Sequence, residues 1–246
     1  MEMQPKTDSL SNRFLRNKEL INQDSLNSVC IIGAGGIGSF IVQSLTMMGW
    51  KELIIWDADI MENHNVSSTA YPLSLIGRKK TEAASVLHSL YADSTQSMTL
   101  YDRHYTPSDE AHPRTIICTD NMESRRMAFE EWYRLPHKEW FVDARMGATT
   151  VELVTESNRV PDASVLYETN YISKRWQPTH TVPEAPCSMK HSVFATQHIA
   201  SLVTSQVYNL VGGLAYYDYI WTSLSPNSVQ LGTLIRPIII NSQEEE

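Results

Sequence analysis

The sequence predicts an α/β fold, a doubly wound sheet that is parallel in its N-terminal part and carries antiparallel strands in its C-terminal part. Three observations carry this. Residues 29–59 read as strand, glycine turn, helix and strand in immediate succession. Short apolar, β-branched runs recur at 115–118 and 140–144, separated by a segment of helical period, as parallel strands joined by crossovers require. At residue 150 and again after residue 215, strands follow one another across tight turns, which suits antiparallel pairing. Together they make the fold Rossmann-like.

Val29, Cys30, Ile31 and Ile32 form the first strand and run straight into Gly33-Ala34-Gly35-Gly36-Ile37-Gly38. Ile37, Ile41, Leu45 and Met48 then recur at helical spacing, and Gly49 closes that helix. Residues 53–56 are the second strand, with Asp57 at its end. A glycine turn that opens a helix lets backbone N–H groups approach a phosphate, and the helix dipole favours the negative charge. An acid on the following strand is placed to bond ribose hydroxyls. The opening unit is therefore expected to hold a nucleotide.

Ahead of this unit, residues 1–10 read as disordered. Residues 12–21 read as a short helix with Phe14, Leu15 and Ile21 on its apolar side and with Arg13 and Arg16 on a solvated face. After Asp57 come Asp59 and Glu62-Asn63-His64-Asn65, acids and amides at the sheet edge where ligands bind in open α/β folds. Lys80 lies near the start of a helix that runs to about residue 91. A lysine there opposes the helix dipole, so a nearby anion would account for it, and a plain surface lysine is the alternative. Residues 98–101 and 115–118 are strands, the second ending in Thr119-Asp120-Asn121. An acid and an amide at a strand end suit a magnesium ion or a phosphate, and Asp120 equally suits capping of the helix at 122–135.

The strand at 140–144 ends in Asp143-Ala144-Arg145-Met146-Gly147, and 150–155 returns beside it. Residues 156–190 lack periodicity and are punctuated by Pro161, Pro178, Pro183 and Pro186, which reads as a long crossover loop. It carries Trp176, His180 and Cys187, the last just before a helix at 192–211 that Gly212-Gly213 stops. Residues 215–224 and 229–239 pair as a terminal hairpin around Ser225-Pro226-Asn227, and 241–246 read as disordered. With no repeat and no linker, 1–246 reads as a single domain.

Composition narrows the functional classes. A net charge of -8 without any Lys/Arg run argues against a broad nucleic-acid surface and hints at a neutral or basic partner. Cys30, Cys118 and Cys187 are far apart and form no CxxC pair, so neither a disulfide framework nor a structural zinc site is expected. The polar N-terminus lacks the core of a signal peptide, and no apolar run is long enough to span a bilayer. A soluble, cytoplasmic protein without membrane contact is the expectation.

The ordered set GAGGIGS, DAD, Asn65, IGRKK, CTDN and Cys187 before a helix resembles the ThiF/MoeB/ubiquitin-activating-enzyme family of adenylyltransferases over roughly residues 12–215. FVDARMGA is similar to a segment of compact, zinc-free members from bacteria and phages. The resemblance implies ATP and Mg2+ as cofactors, a homodimer, and a ubiquitin-like or sulfur-carrier protein of β-grasp fold whose C-terminal glycine carboxylate is adenylated. It implies a turn of Gly33, Gly35, Gly36 and Gly38 packed on the nucleotide, Asp57 on the ribose and Asp59 near the phosphates. Asn65 and Lys80 would contact phosphate, and Asp120, with Asn121 beside it, would bind magnesium. Arg16 would reach across the dimer into a neighbouring ATP site. Cys187 matches the transfer cysteine of members that form a thiol-linked intermediate, with a conjugating or sulfur-transfer partner acting afterwards. One departure bears on the triphosphate site: Ser68 stands where the family has an arginine, a cation that Arg78 or Lys79 would have to replace. Two other readings compete, a nicotinamide-dependent oxidoreductase and a non-catalytic binding or dimerisation module of the same family.

Overall fold

Strand β1 (Ser28–Ile32) shows why this chain builds a two-sided sheet. Val29 and Ile31 enter one apolar cluster while Cys30 and Ile32 enter the other, as the two-residue period of a strand demands. The structure is a computed structural model and describes residues 12–17, 19–159 and 192–236. After β1 come α1 (Gly36–Met48), β2 (Glu52–Trp56), α2 (Lys80–Ser89), β3 (Ser97–Tyr101), β4 (Arg114–Ile117), α3 (Met122–Arg134), β5 (Trp140–Met146) and β6 (Thr150–Ser157). The helix α4 (Val193–Val211) precedes the short strands β7 (Tyr216–Tyr217), β8 (Tyr219–Leu224), β9 (Asn227–Leu231) and β10 (Leu234–Ile235).

Eight strands form one sheet in the order β3-β2-β1-β4-β5-β6-β8-β9. The first five are parallel, and β6, β8 and β9 are antiparallel, as the sequence predicts. The winding reverses between β1 and β4, and a crevice opens beyond the strand ends at such a reversal. On one side Ile37, Ile41 and Leu45 of α1 meet Ala195, Ile199, Val203 and Val207 of α4. On the other, Ala128, Phe129 and Trp132 of α3 cover Ile32, Ile117 and Phe141.

Three expectations change. Residues 12–17 and 19–20 form turns with bonds such as Leu15 N to Asn12 O (3.1 Å) and Asn17 N to Phe14 O (3.0 Å), not the expected helix over 12–21. Tertiary anchors decide this. The Arg13 guanidinium binds Asp93 (2.9 Å), Gln96 Oε1 (2.7 Å) and the Thr46 carbonyl (3.0 Å) at the end of α1. The terminal hairpin is interrupted at Asp218, whose carboxylate takes the Thr233 N–H (2.6 Å) and whose carbonyl takes the Thr155 N–H (2.8 Å), so β7 and β10 pair separately. Its turn is one residue shorter, because Leu224 pairs with Asn227. Glu156 and Ser157 belong to β6 and not to the crossover loop; residues 160–191, with Trp176, His180 and Cys187, lie outside the described residues. Residues 1–10 and 241–246, read as disordered, also lie outside them.

Glu156 is 6% exposed beside its register partner Phe141. Burial, with the Asp218 charge adding to it, pushes its carboxyl up to about 8. The native state thus keeps a proton that the unfolded chain releases near 4.5. The stabilisation is present in full at acid pH and is lost as pH rises through about 8. Within that window each pH unit costs up to about 1.4 kcal/mol. Glu156→Gln should therefore melt progressively higher than wild type between pH 5 and pH 8. A melting difference that stays constant across that range would count against a neutral, buried Glu156.

Candidate nucleotide site

The glycine turn leaves β1 with Gly33 at φ +103°, a left-handed conformation in which a side chain would also press on the Cys118 carbonyl carbon at 3.0 Å. Gly38 lies against the turn itself, since a methyl group there would stand 2.0 Å from the Gly33 carbonyl oxygen. Gly36 is enclosed by the Ser68 carbonyl and Thr196. Gly35 differs. A methyl group there would meet only the Lys80 amine, at 3.9 Å, so this part of the turn faces open space beside a cation. Three of the four glycines thus make packing possible and one leaves a cradle.

The acids of β2 are wired to this turn. Asp57 accepts the Ala34 N–H through Oδ2 (2.7 Å) and the Asp59 N–H through Oδ1 (2.8 Å). Burial pushes the Asp57 carboxyl above its ordinary range, against the pull of Lys80 and of these two amides. Lys80 is the first residue of α2, and its Nζ donates to Asp59 Oδ2 at 2.7 Å, with only 12% of its side chain exposed. The anion that its position calls for is therefore Asp59. Tyr71, 2% exposed, donates its hydroxyl to the Ala34 carbonyl (2.9 Å) and braces the turn from behind.

Asn65 closes a short 3-10 segment, Asn63–Ser68, by accepting the Glu62 N–H through Oδ1 (2.9 Å). Its amide nitrogen is then the group left for a ligand, a donor suited to phosphate. Ser68 is buried, and its hydroxyl donates to the Asn65 carbonyl at 3.4 Å. Arg78 pairs with Glu82 (3.6 Å) and Lys79 with Asp102 (3.4 Å), both in solvent-exposed contacts.

Beyond β4, Asn121 and not Asp120 caps α3, its Oδ1 accepting the Ser124 N–H at 3.0 Å. The residue immediately before the first helical turn has the reach for this bond, which leaves the exposed Asp120 carboxylate out of the cap. Asp120 fits magnesium, which keeps several waters and takes one or two carboxylates together with phosphate oxygens. No cluster of three or more metal-binding side chains is present among the described residues. Cys118 and Cys30 are core thiols, both pushed up to about 12 by burial. Arg16 is exposed on a segment that Arg13 anchors at the end of α1 remote from the glycine turn.

Two features of the site are not evident in sequence motifs. Tyr71 stands in an irregular stretch with no period to single it out. Arg125 shares the buried face of α3 with Ala128, Phe129 and Trp132, and an arginine at an apolar helical position was its signal. Its guanidinium binds Asp143, the Ala144 carbonyl (3.0 Å) and the Thr119 carbonyl. Arg145 binds the other Asp143 oxygen through Nε (2.9 Å) and Nη2 (2.6 Å). Burial alone would raise the Asp143 carboxyl, and the two guanidinium groups more than offset it and hold it low.

A cavity of about 620 Å³ lies elsewhere, along α1 and α4, between Leu20, Phe40, Met48, Thr204 and Tyr208. No helix among the described residues is long and apolar enough to cross a membrane.

The chain resembles known proteins in sequence and in fold. The chain is 29% identical over 118 residues to ubiquitin-like modifier-activating enzyme 5 of Arabidopsis thaliana, covering 40% of this chain and 27% of that protein. The Caenorhabditis elegans protein of the same name is 27% identical over 113 residues, again covering 40% and 27%. The chain thus matches about a quarter of the length of these relatives. Among solved structures, PaaA superposes with a TM-score of 0.67 at 14% identity, covering 97% of this chain and 77% of that one. Escherichia coli MccB, crystallised with AMPCPP and MccA, gives 0.65 at 17% identity, covering 96% and 75%. The E. coli tRNA N6-threonylcarbamoyladenosine dehydratase TcdA gives 0.63 at 16%, covering 84% and 96%. The family model described as "ThiF family" matches residues 18–227, and the chain belongs to the ThiF family.

Proposed function

We propose that this chain, acting as a single domain over residues 1–246, binds ATP with magnesium and transfers AMP to the C-terminal glycine carboxylate of a ubiquitin-like or sulfur-carrier protein of β-grasp fold. The observation that carries the reading is the open face of Gly35 beside the Lys80–Asp59 pair, with the Asp120 carboxylate on a neighbouring strand end. Backbone N–H groups of the turn and the start of α1 receive phosphate, and Asp57 receives the ribose. Lys80 and Asn65 lie against the phosphates. A carboxylate oxygen attacks the α-phosphorus, the bond to the bridging oxygen breaks, and pyrophosphate leaves with the electron pair. Two anions meet in this step, so the site works by charge and placement, and no general base is needed for a carboxylate already ionised at neutral pH. Asp120 would hold magnesium, which would supply charge neutralisation to the phosphates. MccB, which this chain resembles in fold, has been crystallised with the ATP analogue AMPCPP and with ATP.

Arg16 belongs to a second copy's site in this reading, since its own segment is tied to the far end of α1. A homodimer then supplies a cation that Ser68 does not. Cys187 is the proposed acceptor for a following step, in which its thiolate attacks the acyl carbon and AMP leaves, before a conjugating or sulfur-transfer partner takes over. A carrier adduct on a non-reducing gel that excess thiol removes by exchange and that Cys187→Ala abolishes is the expected result. An adduct persisting in that variant removes Cys187 from the pathway.

The decisive experiment for the nucleotide is thermal shift with ATP plus magnesium against NAD. Stabilisation by ATP alone of the two is expected, and a response to NAD alone would return the oxidoreductase reading. One observation favours a second reading, a non-catalytic nucleotide-binding member: Ser68 is buried and Arg78 and Lys79 are paired elsewhere. Tight ATP binding without any pyrophosphate exchange in the presence of the carrier protein would establish it.

A further inference from the structure

Asp143 is 1% exposed and Arg125 4% exposed, yet both belong to an ionic chain that runs from Glu152 on β6 to the loop after β4. Glu152 lies 3.6 Å from Arg145, which grips Oδ2 of Asp143, while Arg125 takes Oδ1 and reaches on to the Ala144 and Thr119 carbonyls. The sheet does not need this chain to pair β4 with β5, because Ile117 and Asp143 are already in register through the backbone. What lies past Ile117 is different. Cys118 still donates its N–H to the Ile32 carbonyl (2.9 Å), but the Thr119 carbonyl is received by Arg125, and Asp120 follows directly. Buried ion pairs are a poor source of net stability compared with apolar packing, and their best-attested value is in fixing one geometry. Only arginine presents the planar fork that can join a carboxylate and two carbonyls at once.

We propose that Asp143 is a positioning residue: by dividing its two oxygens between Arg125 and Arg145, it sets the Thr119 carbonyl, and through it the Asp120 carboxylate, at the distance from the glycine turn that a nucleotide-bound divalent cation requires. This rests on the adenylation reading for its purpose, but the clamp is a property of the chain alone. Residues that orient a metal ligand typically change metal affinity by ~10–100-fold when removed.

The test uses the full chain and Asp143→Asn. Amide hydrogen exchange at 119–121, measured without ligand, should quicken by about tenfold or more. Manganese affinity of the complex with a non-hydrolysable ATP analogue, read by paramagnetic resonance, should fall by ~10–100-fold. Affinity for the analogue in EDTA should stay within about threefold, a split that general loosening of the fold would not produce. Arg125→Lys, which keeps the charge without the fork, should reproduce the exchange and manganese changes. Unchanged loop exchange and manganese affinity in Asp143→Asn would overturn the proposal. If that variant does not fold, Arg145→Gln removes half of the grip. Smaller changes in the same direction then support the clamp, and none overturns it. Failure of the wild-type chain to bind the analogue at all would sink the adenylation reading, while the ligand-free exchange measurement still decides the clamp.

Discussion

Lys80→Ala and Asp120→Ala should each lower ATP–pyrophosphate exchange, measured with the carrier protein present, by about two orders of magnitude or more. The size follows from what one preorganised charge contributes to a step in which charge is redistributed, ~3–4 kcal/mol. Lys80 is well placed to contribute that much. Its side chain is 12% exposed, so its field acts across little water, and its amine would lie 3.9 Å from a methyl group placed on Gly35. The loss should be catalytic and not a matter of folding. Asp59, its partner, is 62% exposed, and pairs of that kind contribute at most ~1 kcal/mol. Asp120 is exposed and outside the helix cap, so its removal should also spare the fold. Melting temperatures close to wild type combined with the rate loss are expected. Wild-type exchange in both variants would remove these residues from the reaction.

Alanine at two positions of the glycine turn should give contrasting results. Gly38→Ala places a methyl group 2.0 Å from the Gly33 carbonyl, a backbone atom that cannot rotate away. Helix α1 must then move off the turn, and overpacking of this kind costs ~1–3 kcal/mol or more. The variant should melt lower and lose nucleotide binding as a consequence. Gly35→Ala meets nothing closer than the Lys80 amine at 3.9 Å, so the apo protein should melt nearer to wild type. The methyl group instead fills the space proposed for phosphate, and a ~1.4 kcal/mol penalty there weakens ATP binding about tenfold. Calorimetric titration alongside thermal melts separates the two behaviours. Equal melting losses in both variants, or ATP affinity untouched in Gly35→Ala, would contradict a cradle at this point of the turn.

Much of this architecture was legible because it is local. The step from β1 through Gly33 to α1 and β2 is written in periodicity and in glycines whose need is set by neighbours a few residues away. Lys80 announced itself by opposing a helix dipole, and Asp59, 21 residues earlier, answered it. Residues 12–21 misled because their apolar spacing suits a helix, while Arg13 is bound to Asp93 and Gln96, 80 and 83 residues away. The cap of α3 went to Asn121, one position from an acid that had the same local credentials.

The amino-acid order by itself determined a glycine turn that opens a helix, parallel strands followed by antiparallel ones, and the family, since each depends on short-range pattern and on residues in sequence order. Only the tertiary structure decided which glycine faces open space, that Ser68 is buried, and that two arginines share one buried aspartate behind Asp120. Those properties are distances between segments far apart along the chain. They are set by how β4, β5 and the start of α4 pack together, and no spacing within a single segment encodes them.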